Sequence, residues 1–234
     1  MASIELVALL SSRPEYNQML LTGTLLSPVV YIDHMTNPLK YLASILEQFE
    51  LLVEEANYWE FMKVSPEQLH TAAGVCQAPE LADACLQAMF GLIGADFDQM
   101  NRTMIPTYMD HAVSPTATKI LIHFIQIYQA KRPQTFKQNN TITQCIEYLP
   151  ERVSIPMMLV SGNRDSLAVG EDVERLHHRL PNLMEHLRTD NYHTDYVLAM
   201  DEIENYNRII EFNSFFRNTR QINAVRNLSC SDNN

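Results

Sequence analysis

The sequence predicts an α/β protein in which a mainly parallel sheet is interrupted by a long helical insertion. Near the N-terminus a helical stretch precedes a buried strand, and after residue 150 the pattern runs strand, helix, strand, helix. Such alternation is typical of parallel strands joined by crossover helices. Between the two parts, about 100 residues show the three- and four-residue apolar spacing of helices. The 234 residues, 46% of them hydrophobic, are enough for a sizeable core.

Residues 1–33 are predicted to contribute one helix and one strand to the core. Residues 2–10 have a helical composition, and Pro14 limits that helix. The run 20–32 is apolar and is broken by Pro28, which predicts a buried strand followed by its exit loop.

Residues 34–150 are predicted to form the helical insertion. Leu39, Leu42 and Leu46 recur at the spacing of one helix face. The last part, 131–150, is polar and contains two prolines, so we expect it to loop back to the sheet.

Residues 151–216 are predicted to complete the sheet, and residues 217–234 to form a polar, frayed tail. In chain order the expected elements are a strand at 155–160, a helix that stops before Pro181, a strand at 183–187 and a helix at 202–216.

The charge of the chain excludes several classes of partner. Lys and Arg number 17 against 28 Asp and Glu, which gives a net charge of -11. This surplus of carboxylates repels phosphate backbones, so we expect no nucleic-acid partner. No apolar stretch reaches the roughly 18 residues of a membrane-spanning helix. Residues 1–10 lack a basic start and carry Glu5, so they do not resemble a signal peptide, and the chain is expected to be soluble or peripheral.

The cysteines and sequons indicate a compartment but do not decide it. Four cysteines show no zinc spacing, so we expect no metal site and no cofactor. Cys76 and Cys85 are close enough for a local disulfide, although two buried thiols would show the same spacing. Asn101, Asn139 and Asn227 each begin an N-glycosylation sequon, which is used only in a secretory lumen and which also arises by chance.

Two loops carry the candidate chemistry. Asp165 follows the strand at 155–160, and His193 follows the strand at 183–187. Reactive groups of open parallel sheets lie just past the carboxyl ends of strands. An Asp followed by a His in such loops matches the last two members of the Ser, Asp, His order of α/β-hydrolases. Taken by spacing alone, a helix-capping Asp and an ordinary loop His are the better explanation, because Asp and His are common in loops.

Several ordered motifs resemble the acid lipase family, which includes lysosomal acid, gastric and insect neutral-lipid lipases. The likeness extends to about Phe216 and rests on Arg13-Pro-Glu-Tyr-Asn17, Leu26-Ser-Pro-Val29, Ser161-Gly-Asn-Arg-Asp-Ser-Leu-Ala168, Glu171-Asp-Val173, Leu180-Pro-Asn-Leu183, Tyr192-His-Thr-Asp-Tyr196 and Ala199-Met-Asp201.

The resemblance implies an α/β-hydrolase fold with residues 34–150 as a lid over an acyl pocket. It also implies that Asp165 and His193 are the triad Asp and His, and that Cys76 and Cys85 pair as a disulfide. The substrate would be a neutral lipid ester, either a triacylglycerol or a sterol ester, and contact with a lipid surface is possible. The family's location is secreted or lysosomal.

The chain departs from the family at the nucleophile. No Gly-x-Ser-x-Gly occurs in it, and Ser3, Ser161 and Ser166 lack the flanking glycines of a strained strand-to-helix turn. In the family's register the catalytic Ser would stand immediately before Met1. We therefore expect an incomplete hydrolase fold, the C-terminal part of a truncated lipase that is inactive as this chain.

Two alternatives remain for the function of the chain. A lipase remnant without catalytic activity would bind lipid or a partner through the lid. An unrelated α/β interaction domain would show no contact between Asp165 and His193.

Overall fold

The computed structural model describes residues 2–61, 63–112, 116–137 and 144–231, and it has the predicted α/β architecture. Helix α1 (Ala2–Ser12) leads into strand β1 (Gly23–Leu26). The insertion follows, with helices α2 (Leu46–Glu55), α3 (Pro66–Cys76), α4 (Pro79–Phe90), α5 (Ile105–Ala112) and α6 (Thr118–Ala130) and the short strands β2 (Glu60–Phe61) and β3 (Thr116–Ala117). The chain ends with β4 (Met157–Gly162), α7 (Gly170–Arg179), β5 (Leu183–Thr189), α8 (Asp195–Leu198) and α9 (Ile203–Ser231).

Three strands form the main sheet in the order β1-β4-β5, and all are parallel. Gly23 pairs with Met157 and Leu26 with Val160 at the two ends of the β1–β4 ladder. All six residues of β4 are buried, as expected of a central parallel strand covered on both faces. The carboxyl ends of the three strands therefore meet at one edge, where the candidate loops lie.

The largest apolar cluster joins the sheet to its flanking helices. Its members come from α1, β1 and the segment after it, β4 and α7, and from the inner face of α6 through Phe124 and Ile127. A second cluster lies within the insertion and joins α3, α4 and α5 around Leu86 and Ile105. The strand-bearing part and the insertion each have apolar packing of their own.

Several boundaries differ from the predicted ones. Strand β1 is confined to four residues, because Ser27 takes a positive φ of 45° and Pro28 cannot donate to a ladder. The antiparallel strands β2 and β3 pair residues 55 and 57 positions apart, and the sequence does not predict them. Helix α9 continues to Ser231, beyond the predicted end at 216, through a stretch without Gly or Pro, and the polar, frayed tail at 217–234 stays a prediction.

Candidate active site

Asp165 lies in the loop between β4 and α7, residues 163–169, which we call the Asp loop. Its Oδ1 accepts the backbone N–H groups of Leu167 at 2.8 Å and Ala168 at 2.9 Å. The side chain is fully withdrawn from solvent. A short polar side chain that bonds the backbone two and three residues on is a common way to organise a tight turn. The local sequence therefore fixes where the carboxylate points.

His193 lies in the loop between β5 and α8, residues 190–194, which we call the His loop. Its ring Nδ1 is 2.8 Å from the free Oδ2 of Asp165. An ionised carboxylate can only accept, so the proton of the neutral imidazole is on Nδ1 and Nε2 is left with a lone pair. His193 keeps 20% of its side chain exposed, whereas Asp165 keeps none. The pair thus orients a base that solvent or a ligand can reach.

The electrostatic setting keeps Asp165 charged. Burial is the largest influence on the pKa of this carboxyl and acts to raise it. The hydrogen bond and charge of His193, together with the two backbone amides, act in the opposite direction and outweigh burial. The pKa of Asp165 is therefore lowered from its ordinary value, and the carboxylate stays available to hold the imidazole.

The Asp and His loops approach each other closely at Gly162. A Cβ at this position would lie 2.1 Å from the carbonyl oxygen of Asn191, so only glycine fits without a shift of backbone. The adjoining amides of Asn163 and Arg164 donate to Thr189 O at 2.9 Å and Asn191 O at 3.1 Å. These bonds place the two loops side by side and bring Asp165 within reach of His193.

Ser27, just past the end of β1, adds the third strand end to the site. Its amide donates to Val160 O at 2.9 Å, and its hydroxyl donates to the carbonyl oxygen of His193 at 3.2 Å. Sequence reasoning gave Ser27 no role in the site, because the contact spans 166 positions. The only signal was a Ser before Pro at a strand exit.

The insertion is joined to the His loop through Asp195. This buried carboxylate accepts the amide of Asp96 at 2.8 Å and that of Tyr192 at 2.7 Å. Thr194 donates its amide and its hydroxyl to Gly94 O, at 3.1 and 2.8 Å. His193 therefore lies between residues that are tied to segment 94–96 of the insertion. Asp195 belongs to the motif Tyr192-His-Thr-Asp-Tyr196, but the sequence does not indicate this contact.

An apolar cavity of about 560 Å³ lies between the insertion and the segment after β1. It is lined by Val29, Pro38, Leu39, Leu42, Phe49, Phe61, Leu92, Ile93, Thr116, Ile120, Leu121 and Phe124. Leu92 and Ile93 directly precede Gly94, which contacts the His loop. Asn37 donates to Leu92 O and to the hydroxyl of Ser166 in the Asp loop. The cavity wall and both candidate loops are thus parts of one hydrogen-bonded assembly.

The other predicted site residues are placed as follows. The sulfurs of Cys76 and Cys85 lie 2.09 Å apart as a disulfide between α3 and α4. Asn101 precedes a short 3-10 helix (Arg102–Met104), and its side-chain oxygen accepts from the amide and hydroxyl of Thr103. Asn139 lies outside the described residues, and Asn227 lies in α9 where only the backbone is described.

The serines singled out in the sequence have other partners. Ser161 contacts Nε2 of His186 at 2.8 Å, Ser166 accepts from Asn37, and Ser3 is buried in α1. Within the described ranges, no serine hydroxyl hydrogen-bonds the ring of His193. Two side-chain clusters have the composition of metal ligands, Glu174 with His177 and His178, and Asp33 with His34 and Asp172.

The fold and the paired loops define the class: a parallel α/β protein with Asp and His at adjacent strand ends, the α/β-hydrolase arrangement. The chain matches no protein-family model. It is 28% identical over 211 residues to Lipase 1 of Drosophila melanogaster, covering 82% of this chain and 44% of that protein. It is 27% identical over 195 residues to gastric triacylglycerol lipase of Mus musculus, covering 79% and 49%. It is 24% identical over 216 residues to gastric triacylglycerol lipase of Homo sapiens, covering 86% of this chain and 52% of that protein.

The resemblance to the acid lipase family is therefore confirmed, and the chain spans about half the length of these curated relatives. Among solved structures, the monoacylglycerol lipase of Paleococcus ferrophilus superposes with a TM-score of 0.48 at 12% identity, covering 92% of this chain and 65% of that one. An esterase from Thermogutta terrifontis gives a TM-score of 0.45 at 12% identity, covering 92% and 61%.

Proposed function

We propose that this chain carries the Asp–His pair and the acyl-binding insertion of a carboxylic ester hydrolase that acts on neutral lipids. The observation that carries the proposal is the 2.8 Å contact between His193 Nδ1 and Asp165 Oδ2, made in loops that are tied to an apolar cavity. The relatives with lipase in their names support the same chemistry. Apolar walls with few polar groups suit a long acyl chain.

The proposed mechanism is two-step acyl transfer. Asp165 holds the Nδ1 proton of His193, which fixes the tautomer and stabilises the imidazolium that forms. Nε2 then takes the proton of a serine nucleophile and returns it to the departing alcohol, after which water hydrolyses the acyl-enzyme. The Asp and His of this scheme are in the 234 residues, and a Gly-x-Ser-x-Gly elbow is not.

We expect the 234-residue chain alone to hydrolyse no ester, because it contains no Gly-x-Ser-x-Gly and no serine hydroxyl of its described residues bonds the ring of His193. The test is to incubate purified protein with a p-nitrophenyl ester and, separately, with a fluorophosphonate that labels activated serines. The His193→Gln variant is the control. Turnover or labelling that disappears in His193→Gln would show that one of the chain's own serines is activated, and would overturn this part of the proposal.

A second candidate function is lipid binding without catalysis, which the cavity supports because it needs no nucleophile. The test is binding of a fluorescent fatty-acid analogue to the wild type and to Ile120→Asp, which puts a charge in the cavity wall. Leu51→Asp is the matched control, since Leu51 is also exposed but lies outside the cavity lining. We expect the first variant to lose binding and the second to keep it. Equal binding by both variants would place the ligand elsewhere.

The N-terminus of the native protein separates the two candidates. Mass spectrometry of the native protein would detect a peptide that joins a Gly-x-Ser-x-Gly sequence to Ala2 onward, and such a peptide supports the hydrolase. A native N-terminus at Met1 or Ala2 supports the lipid-binding protein.

A secretory or lysosomal location is part of the proposal. The disulfide is of a kind that persists in oxidising compartments, and the Asn101 sequon is in a described, partly exposed turn. Treatment with an N-glycosidase should increase the gel mobility of protein from a eukaryotic secretory pathway, and Asn101→Gln should remove part of that shift. Within the described ranges, no helix is both long and apolar enough to cross a membrane.

A further inference from the structure

A second polar cluster lies where the segment after β1 meets the first turn of α7. Asp172 in that turn is fully buried and accepts twice from His34, from the backbone amide at 2.9 Å and from ring Nδ1 at 2.7 Å. Asp33, the residue before His34, has its carboxylate in the same cluster. Each of the three side chains offers one nitrogen or oxygen ligand atom, and these atoms all lie within 4.8 Å of one another.

Asp33 has a buried oxygen that nothing satisfies. Its Oδ2 is paired with Nη1 of Arg175 at 2.7 Å, and the side chain as a whole is only 10% exposed. Its Oδ1 is buried and has no hydrogen-bond partner in the part of the chain that the structure describes. A buried carboxylate oxygen without a partner costs free energy and calls for a bound water or ion.

The charges around the cluster favour a cation. The cluster holds two carboxylates, Asp33 and Asp172, and the one guanidinium that contacts it, that of Arg175, pairs with Asp33. Arg175 also donates to Lys131 O at 3.2 Å and stacks over the ring of Tyr31 at 4.1 Å. Because the arginine has these other partners, a cation at the cluster would not leave it unsatisfied.

We propose that Asp33, His34 and Asp172 bind a divalent metal ion, Zn²⁺, whose fourth ligand is water. Two carboxylate oxygens and one imidazole nitrogen are ordinary zinc ligands at about 2.0–2.2 Å, which puts tetrahedral ligand atoms about 3.3 Å apart. His34 Nδ1 and Asp172 Oδ1 would then separate by about 0.6 Å from their present 2.7 Å. The His34 side chain is 58% exposed, so it is free to make that movement.

The sequence does not indicate this site, because its ligands have neither the cysteines nor the short spacing of a zinc motif. The ligands are an adjacent pair and a third residue 138 positions further on. A bound ion would fasten the segment after β1 to α7. Asn37, which contacts both the cavity wall and the Asp loop, lies three residues beyond His34.

The test is isothermal titration of ZnCl₂ into the full 234-residue chain after removal of metal with a chelator. We expect one ion per chain, a higher melting temperature, and an affinity that falls in His34→Gln by more than the roughly 10–100-fold that loss of an outer-shell partner costs. His177→Gln is the matched control, because it removes an imidazole from the other cluster on the same helix, α7. We expect that variant to bind zinc as the wild type does.

Three results would overturn the proposal. The unmodified chain could bind no zinc, or binding could survive His34→Gln, or it could be lost in His177→Gln alone. X-ray absorption of the zinc-loaded chain gives a readout that does not depend on how the variants fold. A first shell of one imidazole nitrogen with oxygens supports the site, whereas a sulfur shell would assign the ion to a cysteine.

Discussion

At the scale of single residues, Asp165 uses its two oxygens for different partners. Oδ1 organises the turn that begins the Asp loop, and Oδ2 holds His193. The simple interpretation, in which Asp165 caps a turn, and the triad interpretation are therefore both compatible with the same side chain. A residue that is fixed by its own loop can hold a neighbouring imidazole at little further cost in side-chain entropy.

Asp165 should make stability depend on acid pH. Its pKa is lowered in the folded chain from an ordinary value of 3.8, so its contribution is present above that value and is lost as pH falls through the lowered pKa. Urea unfolding measured as pH is lowered below 3.8 should show a decrease in the free energy of unfolding of the wild type, and a smaller decrease in Asp165→Asn. An equal dependence of this free energy on pH in the two proteins would mean that ionisation of Asp165 does not stabilise the fold.

His186 on β5 should give a second pH dependence with a different origin. Burial, followed by the charge of Arg188 and the neighbouring His177, lowers its pKa to about 4. Between an unfolded value of 6.5 and about 4, the unfolded chain binds a proton that the folded chain does not. The free energy of unfolding should therefore decrease as pH is lowered through this window. The decrease should be about 1 kcal/mol once solvent screening of a partly buried ring is allowed for.

The measurement for His186 is the denaturation midpoint as a function of pH, with the imidazole titration followed by NMR. His186→Gln should flatten the profile in this window. His178→Gln is the control, because the His178 side chain is 73% exposed, and it should leave the profile unchanged. A profile that is equally steep in His186→Gln would remove the histidine as its cause.

The sequence indicates a site residue where the backbone places its side chain, and it does not where a distant contact does. Asp165 and His193 can be expected near each other because each follows a strand, and parallel strands end at a common edge. Their roles in catalysis stay a prediction. Ser27 and Asp195 took no part in that prediction, since their partners lie 166 and 99 positions away.

At the scale of elements, the close approach of the Asp and His loops requires that residue 162 has no side chain. Gly162→Ala would put a Cβ 2.1 Å from Asn191 O and should lower the free energy of unfolding by about 2 kcal/mol. Gly170→Ala, where no atom lies within 4 Å of the added carbon, should stay within about 0.5 kcal/mol of the wild type. Chemical denaturation measures both variants, and equal losses would mean that the loops do not meet as described.

The link between the insertion and the His loop should also be measurable. Asp195→Ala leaves the amides of Asp96 and Tyr192 without their acceptor and should cost about 3 kcal/mol. Hydrogen exchange should speed up at both amides. Asp190→Ala removes an exposed partner of Arg164 and should cost about 0.5 kcal/mol or less. Unchanged exchange at Asp96 in Asp195→Ala would show that other bonds hold the insertion in place.

Local patterns predicted the type of most elements but not all of their ends. The strands and helices of residues 151–216 follow from apolar runs closed by Gly162 and Pro181. The two-residue strands β2 and β3 are too short to show a period, and they exist because they pair with each other. The proposed boundaries of the insertion, 34–150, stay a prediction. Phe124 and Ile127 from that range pack in the main core.

At the scale of the whole molecule, the sheet has an unprotected side. In the described ranges β1 pairs only with β4, so its other edge offers free backbone groups. We expect the 234-residue chain to self-associate at about micromolar concentration. Sedimentation velocity across a dilution series measures this. A monomer at all concentrations that also melts cooperatively would contradict the expectation.

Segment 92–94 is a mechanical link between the cavity and the His loop. Leu92 and Ile93 line the cavity, and Gly94 O accepts from Thr194, the residue after His193. A displacement of this part of the cavity wall is therefore also a displacement of the acceptor that holds the His loop.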